Sequence, residues 1–304
     1  MNILFFFAVL LIGLSSCKHP NNPLAYQTDT HGRGKAVIHI EESFKPLFET
    51  SIETFEGQYP KAHIIPKYKT ETDIINDLYN RKAKTIVISR DLTEKEIAFL
   101  KARKIEVRRD KIAVDGIALI VHPSNKDTLL TTQQLKDIVV GKMTKWSTSK
   151  QNIELIYDNA NSANFIYLSE FAKSKKVNKN VFAVKSNEEV IEFVKNNPRA
   201  IGVIGLNWIS DDDDFDTQDF LKGIKVVSIA KDAKSTYFLP YAGFIYTKEY
   251  PLYRDVWMIN KGKRSGLHTG FVIYMKSDIG QTIIQQAGIV PANSPIRLIQ
   301  FTGE

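Results

Sequence analysis

Short β-prone runs alternate with capped amphipathic helices along most of the chain, and that alternation limits the architectures open to it. Lys35 to Glu41 is a strand-type run, followed by Phe44, Leu47, Phe48, Ile52 and Phe55 at helical spacing. Ser43 reads as the N-cap of that helix, and Pro46 fits its first turn. Ala62 to Lys67 is a second strand, and Thr70 opens a helix carrying Ile74, Ile75 and Leu78 on one face. Thr85 to Ser89 has the composition of a buried strand. Thr93 with Glu96, Thr131 with Gln134, and Ser186 with Glu189 repeat the spacing of a capping box. Further strands are expected at Ile112 to Val121, Ile153 to Tyr157, Ala200 to Gly205, Ile224 to Ile229 and Ala242 to Thr247. This order predicts an α/β protein with parallel or mixed sheets. No repeat of solenoid or propeller length is visible.

Composition narrows the function classes. The chain has 304 residues, 43% of them hydrophobic and 25% charged, which is ordinary for a globular protein. A net charge of +7 is mild and suits an anionic ligand as readily as a surface. One cysteine excludes a disulfide framework, and the six histidines form no H-E-x-x-H pair, so neither a metal nor another cofactor is expected.

The N-terminus reads as an address. Residues 3 to 14 are apolar and uncharged, too short to span a bilayer but the right length for a signal-peptide core. Leu14-Ser15-Ser16-Cys17 follows and resembles a bacterial lipobox, with Cys17 as the acylated residue. Residues 1–16 are then a lipoprotein signal peptide. Residues 17–34, polar and containing Pro20, Pro23, Gly32 and Gly34, are the lipidated cysteine and a flexible tether. Such a chain is membrane-anchored in the cell envelope, on a periplasmic or surface-facing side.

Hydroxyl residues recur where strands give way to helices: Ser43, Thr70, Ser162 and, less clearly, Ser89. A helix start offers free N–H groups and partial positive charge, which suit an oxyanion. Each such residue taken singly is most simply a cap.

Taken in order, the motifs become more specific. They begin with Ile40-Glu41-Glu42-Ser43-Phe44-Lys45-Pro46-Leu47 and Ile88-Ser89-Arg90-Asp91-Leu92-Thr93. Ala113-Val114-Asp115-Gly116-Ile117, Asp158-Asn159-Ala160-Asn161-Ser162 and Ile201-Gly202-Val203-Ile204-Gly205 follow. Tyr250-Pro251-Leu252-Tyr253-Arg254 and Gly288-Ile289-Val290-Pro291-Ala292 complete the series. Together, over about residues 35 to 295, they resemble the phosphate-binding proteins of phosphate ABC transporters, in particular a lipoprotein branch. The resemblance implies a two-lobe, periplasmic-binding-protein-like (type II) α/β fold with two crossover strands and a central anion cleft. The crossings fall near Ile117 to Pro123 and Pro240 to Tyr246. Lobe I then comprises residues 35–120 and 241–304, and lobe II residues 121–240.

The resemblance also implies ligand-binding residues. Ser43 matches a first-loop hydroxyl, with Phe44 supplying the adjacent N–H. Thr70 occupies a second-loop hydroxyl position, and Ser89 with Arg90 matches a third-loop pair. Asn161, Ser162 and Asn164 fall in the phosphate loop. A dehydrated anion needs many donors at once, which such a shell supplies. Two departures stand out. Ala163-Asn164-Phe165 stands where the family shows further hydroxyls and an arginine, and Glu41 and Glu42 sit beside the first loop, where they could accept a phosphate proton or repel a fully ionised anion.

Other signals carry less. Gly141-Lys142-Met143 lacks the rest of a P-loop. The acidic run Asp211 to Asp214 lacks the spacing of an EF-hand, and the basic cluster Lys173, Lys175, Lys176 and Lys179 lacks the aromatic interleaving of a nucleic-acid surface. No nucleophile–base pair supports an enzyme. The sequence therefore predicts a monomeric, lipid-anchored solute-binding protein, not an enzyme, that captures phosphate or a similar oxyanion for an ABC permease. The alternative is an envelope module of sensor, adhesion or assembly type with altered or lost phosphate binding.

Overall fold

The computed structural model describes residues 29–174, 178–210, 215–261 and 265–293. Cys17 and the apolar run at residues 3–14 lie outside the described residues, as does the acidic run 211–214. In chain order the strands begin with β1 Arg33–Glu41, β2 Lys61–Lys69, β3 Thr85–Ile88 and β4 Val107–Val121. Next come β5 Leu129–Thr131, β6 Glu154–Tyr157, β7 Val181–Ala183 and β8 Ala200–Gly205. The last four are β9 Lys225–Val226, β10 Ser228–Ala230, β11 Tyr253–Lys261 and β12 Val290–Pro291. The helices are α1 Lys45–Gln58, α2 Glu71–Tyr79, α3 Glu94–Ala102, α4 Thr132–Val139 and α5 Ala163–Phe171. They continue with α6 Asn187–Asn196, α7 Phe215–Leu221, α8 Ala242–Tyr246, α9 Leu267–Lys276 and α10 Asp278–Gln286. Short 3₁₀ turns occupy Glu42–Phe44 and Leu206–Trp208.

The main sheet runs β2-β1-β3-β11-β4-β8-β6-β7. Its pairs β1/β2, β1/β3, β6/β7 and β6/β8 are parallel, whereas β11 and β4 run antiparallel to their neighbours. The fold is therefore α/β with a mixed sheet, in two lobes. Strand β4 links them: Val107 to Gly116 pairs with β11, and Ile117 to Val121 pairs with β8. In the first lobe one face of the sheet is covered by α1 and α9, where Phe48 and Phe55 pack on Phe271. Ile74, Leu78, Leu100 and Ile259 form a separate apolar cluster under α2 and α3. In the second lobe Leu155, Tyr157, Leu168, Val190 and Val194 are buried around the short parallel strands.

Most caps follow the sequence. Thr93 and Thr131 form reciprocal capping boxes, and Thr70 and Ser162 cap α2 and α5. Ser186 caps α6, but Glu189 turns its carboxylate to the Lys185 N–H instead of closing a box.

Three expectations are corrected. Ala242 to Tyr246 is a helix, not a strand, with Tyr241 O accepting the Ile245 N–H at 3.0 Å. A five-residue apolar run has no period long enough to separate the two states, and the chain's return passage to the first lobe goes through this helix. Ser43 does not cap α1; it lies inside the 3₁₀ turn that precedes it, and Glu41 caps that turn. The tether expected over residues 17–34 is shorter at its C-terminal end. Asp29 accepts the Leu267 N–H at 2.7 Å, and β1 already begins at Arg33.

Candidate functional site

The C-terminal end of β1 faces the N-termini of α5 and α6 across the two lobes. Parallel strands leave their carboxyl ends open for loops, and such crevices are where α/β proteins gather ligand groups. Glu41 closes β1 and is fully buried. Its carboxylate accepts the Ser43 N–H at 3.0 Å and the Ser43 hydroxyl. It also accepts the Ala163 N–H at 3.4 Å, from the first turn of α5 in the other lobe. Glu42, the next residue, accepts the Asn187 N–H at 3.4 Å and the Asn187 side-chain amide, at the start of α6.

Arg254, on β11, completes this centre. Its Nη2 donates to the Ser43 hydroxyl at 2.7 Å and to Asp115 Oδ2 at 3.1 Å. Its guanidinium lies 4.8 Å from the centroid of the Phe44 ring. Its Nη1 is buried and has no hydrogen-bond partner among the described residues. Asn164 donates to Asp158 Oδ1 and Asn187 Oδ1, both at 3.2 Å. Asn207 and Trp208 both donate to the Ser43 carbonyl, at 2.8 and 2.9 Å.

The electrostatics follow from this crowding. Burial pushes the Glu41 carboxyl up to about 7, with Arg254 opposing the rise and Asp158 adding to it. Burial, then Asp158 and Glu41, push Glu42 up to about 8. Burial also raises Asp158 and Asp115, the latter against the pull of Arg254. Dehydrated carboxylates this close cannot all ionise at low cost. Among the described residues no group of three His, Cys, Asp or Glu side chains is placed to hold a metal.

The structure brings Ser43, Phe44, Ser162 and Asn164 together here. All four are buried, and Ser162 spends its hydroxyl oxygen on the Phe165 N–H at 3.2 Å. Asn161 is instead exposed, and its N–H goes to Asn159 Oδ1 at 2.9 Å. Ser89 and Arg90 gather around Glu71, which adjoins Glu41 on the first-lobe side. Glu71 Oε2 accepts the Ser89 N–H at 2.8 Å and its hydroxyl at 2.5 Å. Arg90 reaches Glu96 with two nitrogens, at 2.8 and 2.9 Å, and Glu71 at 3.0 Å. Burial would raise the Glu96 carboxyl, but its bonds to Arg90 and Thr93 win and hold it at about 2. Thr70 is engaged with Asp73, accepting its N–H and donating to its carboxylate.

A profile of the PBP superfamily domain matches residues 25–278. The chain belongs to the PBP superfamily. Among its relatives, the phosphate-binding protein PstS of Borreliella burgdorferi is 26% identical over 228 residues, which is 71% of this chain and 75% of that one. Two solved PBP-like structures share the fold. One is a Clostridium perfringens protein named as a phosphate ABC transporter substrate-binding protein and solved with bound phosphate. It has a TM-score of 0.72 and 21% identity, covering 85% of this chain and 100% of its own. The other is an ABC-type phosphate transport receptor from Vibrio cholerae, with a TM-score of 0.64 and 22% identity over 85% and 100% of the two chains.

Against this PBP frame, the sequence reading passed over Asp115, Asp158, Asn187, Asn207 and Arg254 as site residues. A signal was present for two of them. Asp115 is a lone charge inside an apolar strand-like run, and Arg254 precedes the apolar alternation Val256, Met258; a charge in a central strand requires a partner. Asp158 and Asn187 lie far apart in sequence and meet at 3.4 Å only in the folded chain, and Asn207 reaches the site through the Ser43 carbonyl.

Proposed function

We propose that this PBP-superfamily chain is the solute-binding protein of an ABC importer and that it captures phosphate. The supporting observation is the donor shell around one carboxylate. The Ser43 N–H, the Ser43 hydroxyl and the Ala163 N–H converge on Glu41, and Arg254 stands behind Ser43. A centre that already coordinates one oxyanion group with backbone and hydroxyl donors is built for oxyanions. The unpartnered Arg254 Nη1 is a further donor available to an anion. The names of the relatives support the same ligand and the same transport role. In this reading the protein works outside the cytoplasm, held to the membrane through Cys17, with an ABC permease as its partner. Its lobes are residues 35–120 with 241–304, and residues 121–240.

Titration calorimetry on the full chain in detergent, dialysed free of phosphate, tests the proposal. Phosphate should bind saturably, and sulfate and a nucleotide monophosphate should bind more weakly. Ser43→Ala should weaken phosphate binding by roughly 1–3 kcal/mol, the cost of losing a buried donor. Silence with all three ligands would favour an envelope module that does not serve transport.

A further inference from the structure

The two consecutive carboxylates at the end of β1 do more than crowd the site. Glu41 takes the first free N–H of α5, and Glu42 takes the first free N–H of α6 together with the Asn187 side chain. These N–H groups have no intrahelical partner, and they are what a helix start would offer an incoming anion. They belong to one lobe and the two glutamates to the other, so each bond ties the lobes together. Ser43 presents its N–H and hydroxyl to the same Glu41 carboxylate.

We propose that the side chains of Glu41 and Glu42 form a tethered pair of carboxyl groups that latches the lobes shut without a ligand, and that phosphate enters by displacing the Glu41 carboxyl. The second half rests on the phosphate reading given above; the first half does not. Glu41 meets Arg254 from β11, Glu71 from α2 and Asp158 from the loop after β6, while Glu42 meets Asp158 and Asn187. Arg254 is already shared between Asp115 and Ser43, so an anion in place of Glu41 would find the same donors and the spare Nη1. The Glu41 side chain thereby sets affinity. A protein whose own carboxylate fills its donor shell binds an external anion more weakly than the bare shell would, because every donor must first be vacated.

Hydrogen exchange read by mass spectrometry tests the latch on the full chain in detergent, with phosphate affinity measured in parallel by equilibrium dialysis. In the phosphate-free wild type, peptides covering Ala163 and Asn187 should be protected. Glu41→Ala and Glu42→Ala should speed exchange there about tenfold or more, while peptides from β4 stay protected and certify the fold. Glu41→Gln, which keeps shape without charge, should show an intermediate effect. Phosphate should restore protection in Glu41→Ala and bind it at least tenfold more tightly than wild type. Unchanged exchange in the alanine variants would overturn the latch, whatever phosphate does. Faster exchange with phosphate affinity equal to or weaker than wild type would overturn the displacement. Faster exchange with no phosphate binding to any form would uphold the latch and defeat the phosphate reading instead.

Discussion

Arg254 is the residue on which the site's charge balance turns. It is 4% exposed and holds the fully buried Asp115 through Nε at 3.3 Å and Nη2 at 3.1 Å. Removing one partner of such a pair leaves an uncompensated charge in a dry place, which is far more costly than the pair itself is stabilising. Arg254→Met should therefore lower stability by roughly 3–5 kcal/mol in urea unfolding. Arg254→Met combined with Asp115→Asn should recover a large part of that loss. Additive losses in the double variant would show that the two residues do not act as a pair. At this scale the sequence was partly legible. Ser43, Ser162 and Asn164 came from family resemblance, and the structure gathers them. Asp115 stands in an expected strand and Arg254 in a quoted motif, but no strand is expected over Tyr253–Lys261, so the alternation of Arg254, Val256 and Met258 that buries Arg254 goes unread.

At the scale of elements, helix starts carried most of the information, and they also show why a hydroxyl at a cap is ambiguous. Thr70 and Ser162 have the same local geometry: each accepts the N–H three residues on, and each has extended backbone. What separates them is the neighbourhood. Ser162 is buried between lobes, whereas the hydroxyl of Thr70 is returned to Asp73 near the surface. Thr70→Ala should cost about 1 kcal/mol of stability as a lost cap and leave phosphate affinity within twofold of wild type. A drop of tenfold or more in affinity would return Thr70 to the ligand shell. Capping boxes at Thr93 and Thr131 were readable because three-residue spacing is a local property. The α8 helix was not. Its residues Ala242 to Tyr246 fit either state by composition, and the choice is made by the Tyr241 carbonyl and by Phe244 packing on Phe238 at 4.7 Å between ring centroids.

Across the whole molecule the buried acids link lobe packing to pH. Glu41 and Glu42 rise from an ordinary 4.5 to about 7 and about 8 in the folded chain. The folded state thus binds more protons than the unfolded one above pH 4.5, and stability falls as pH rises. The contribution of these two groups is complete below 4.5 and lost by the time pH passes about 8. At about 1.36 kcal/mol per unit, the Glu41 rise alone is on the order of 3 kcal/mol. The histidines act in the opposite direction lower down. Burial lowers His268 from 6.5 to about 4, and burial outweighs Asp77 in lowering His39, so protonating them destabilises the fold as pH falls below 6.5. The two trends offset each other between 4.5 and 6.5, which leaves the carboxylates alone above that range. The melting temperature, followed by circular dichroism, should therefore fall by several degrees between pH 6.5 and 8.5. Because Glu42→Gln with Glu41→Gln removes these two titrating groups and keeps their shape, that double variant should melt with a clearly shallower dependence on pH over the same interval. A wild type with a flat profile, or a double variant with the wild-type slope, would mean that the cleft acids are not the groups that set it. The same linkage predicts that the ligand-free lobes separate more readily at pH 8.5 than at 6.5, since ionising both glutamates sets them against Asp158 where burial disfavours all three charges.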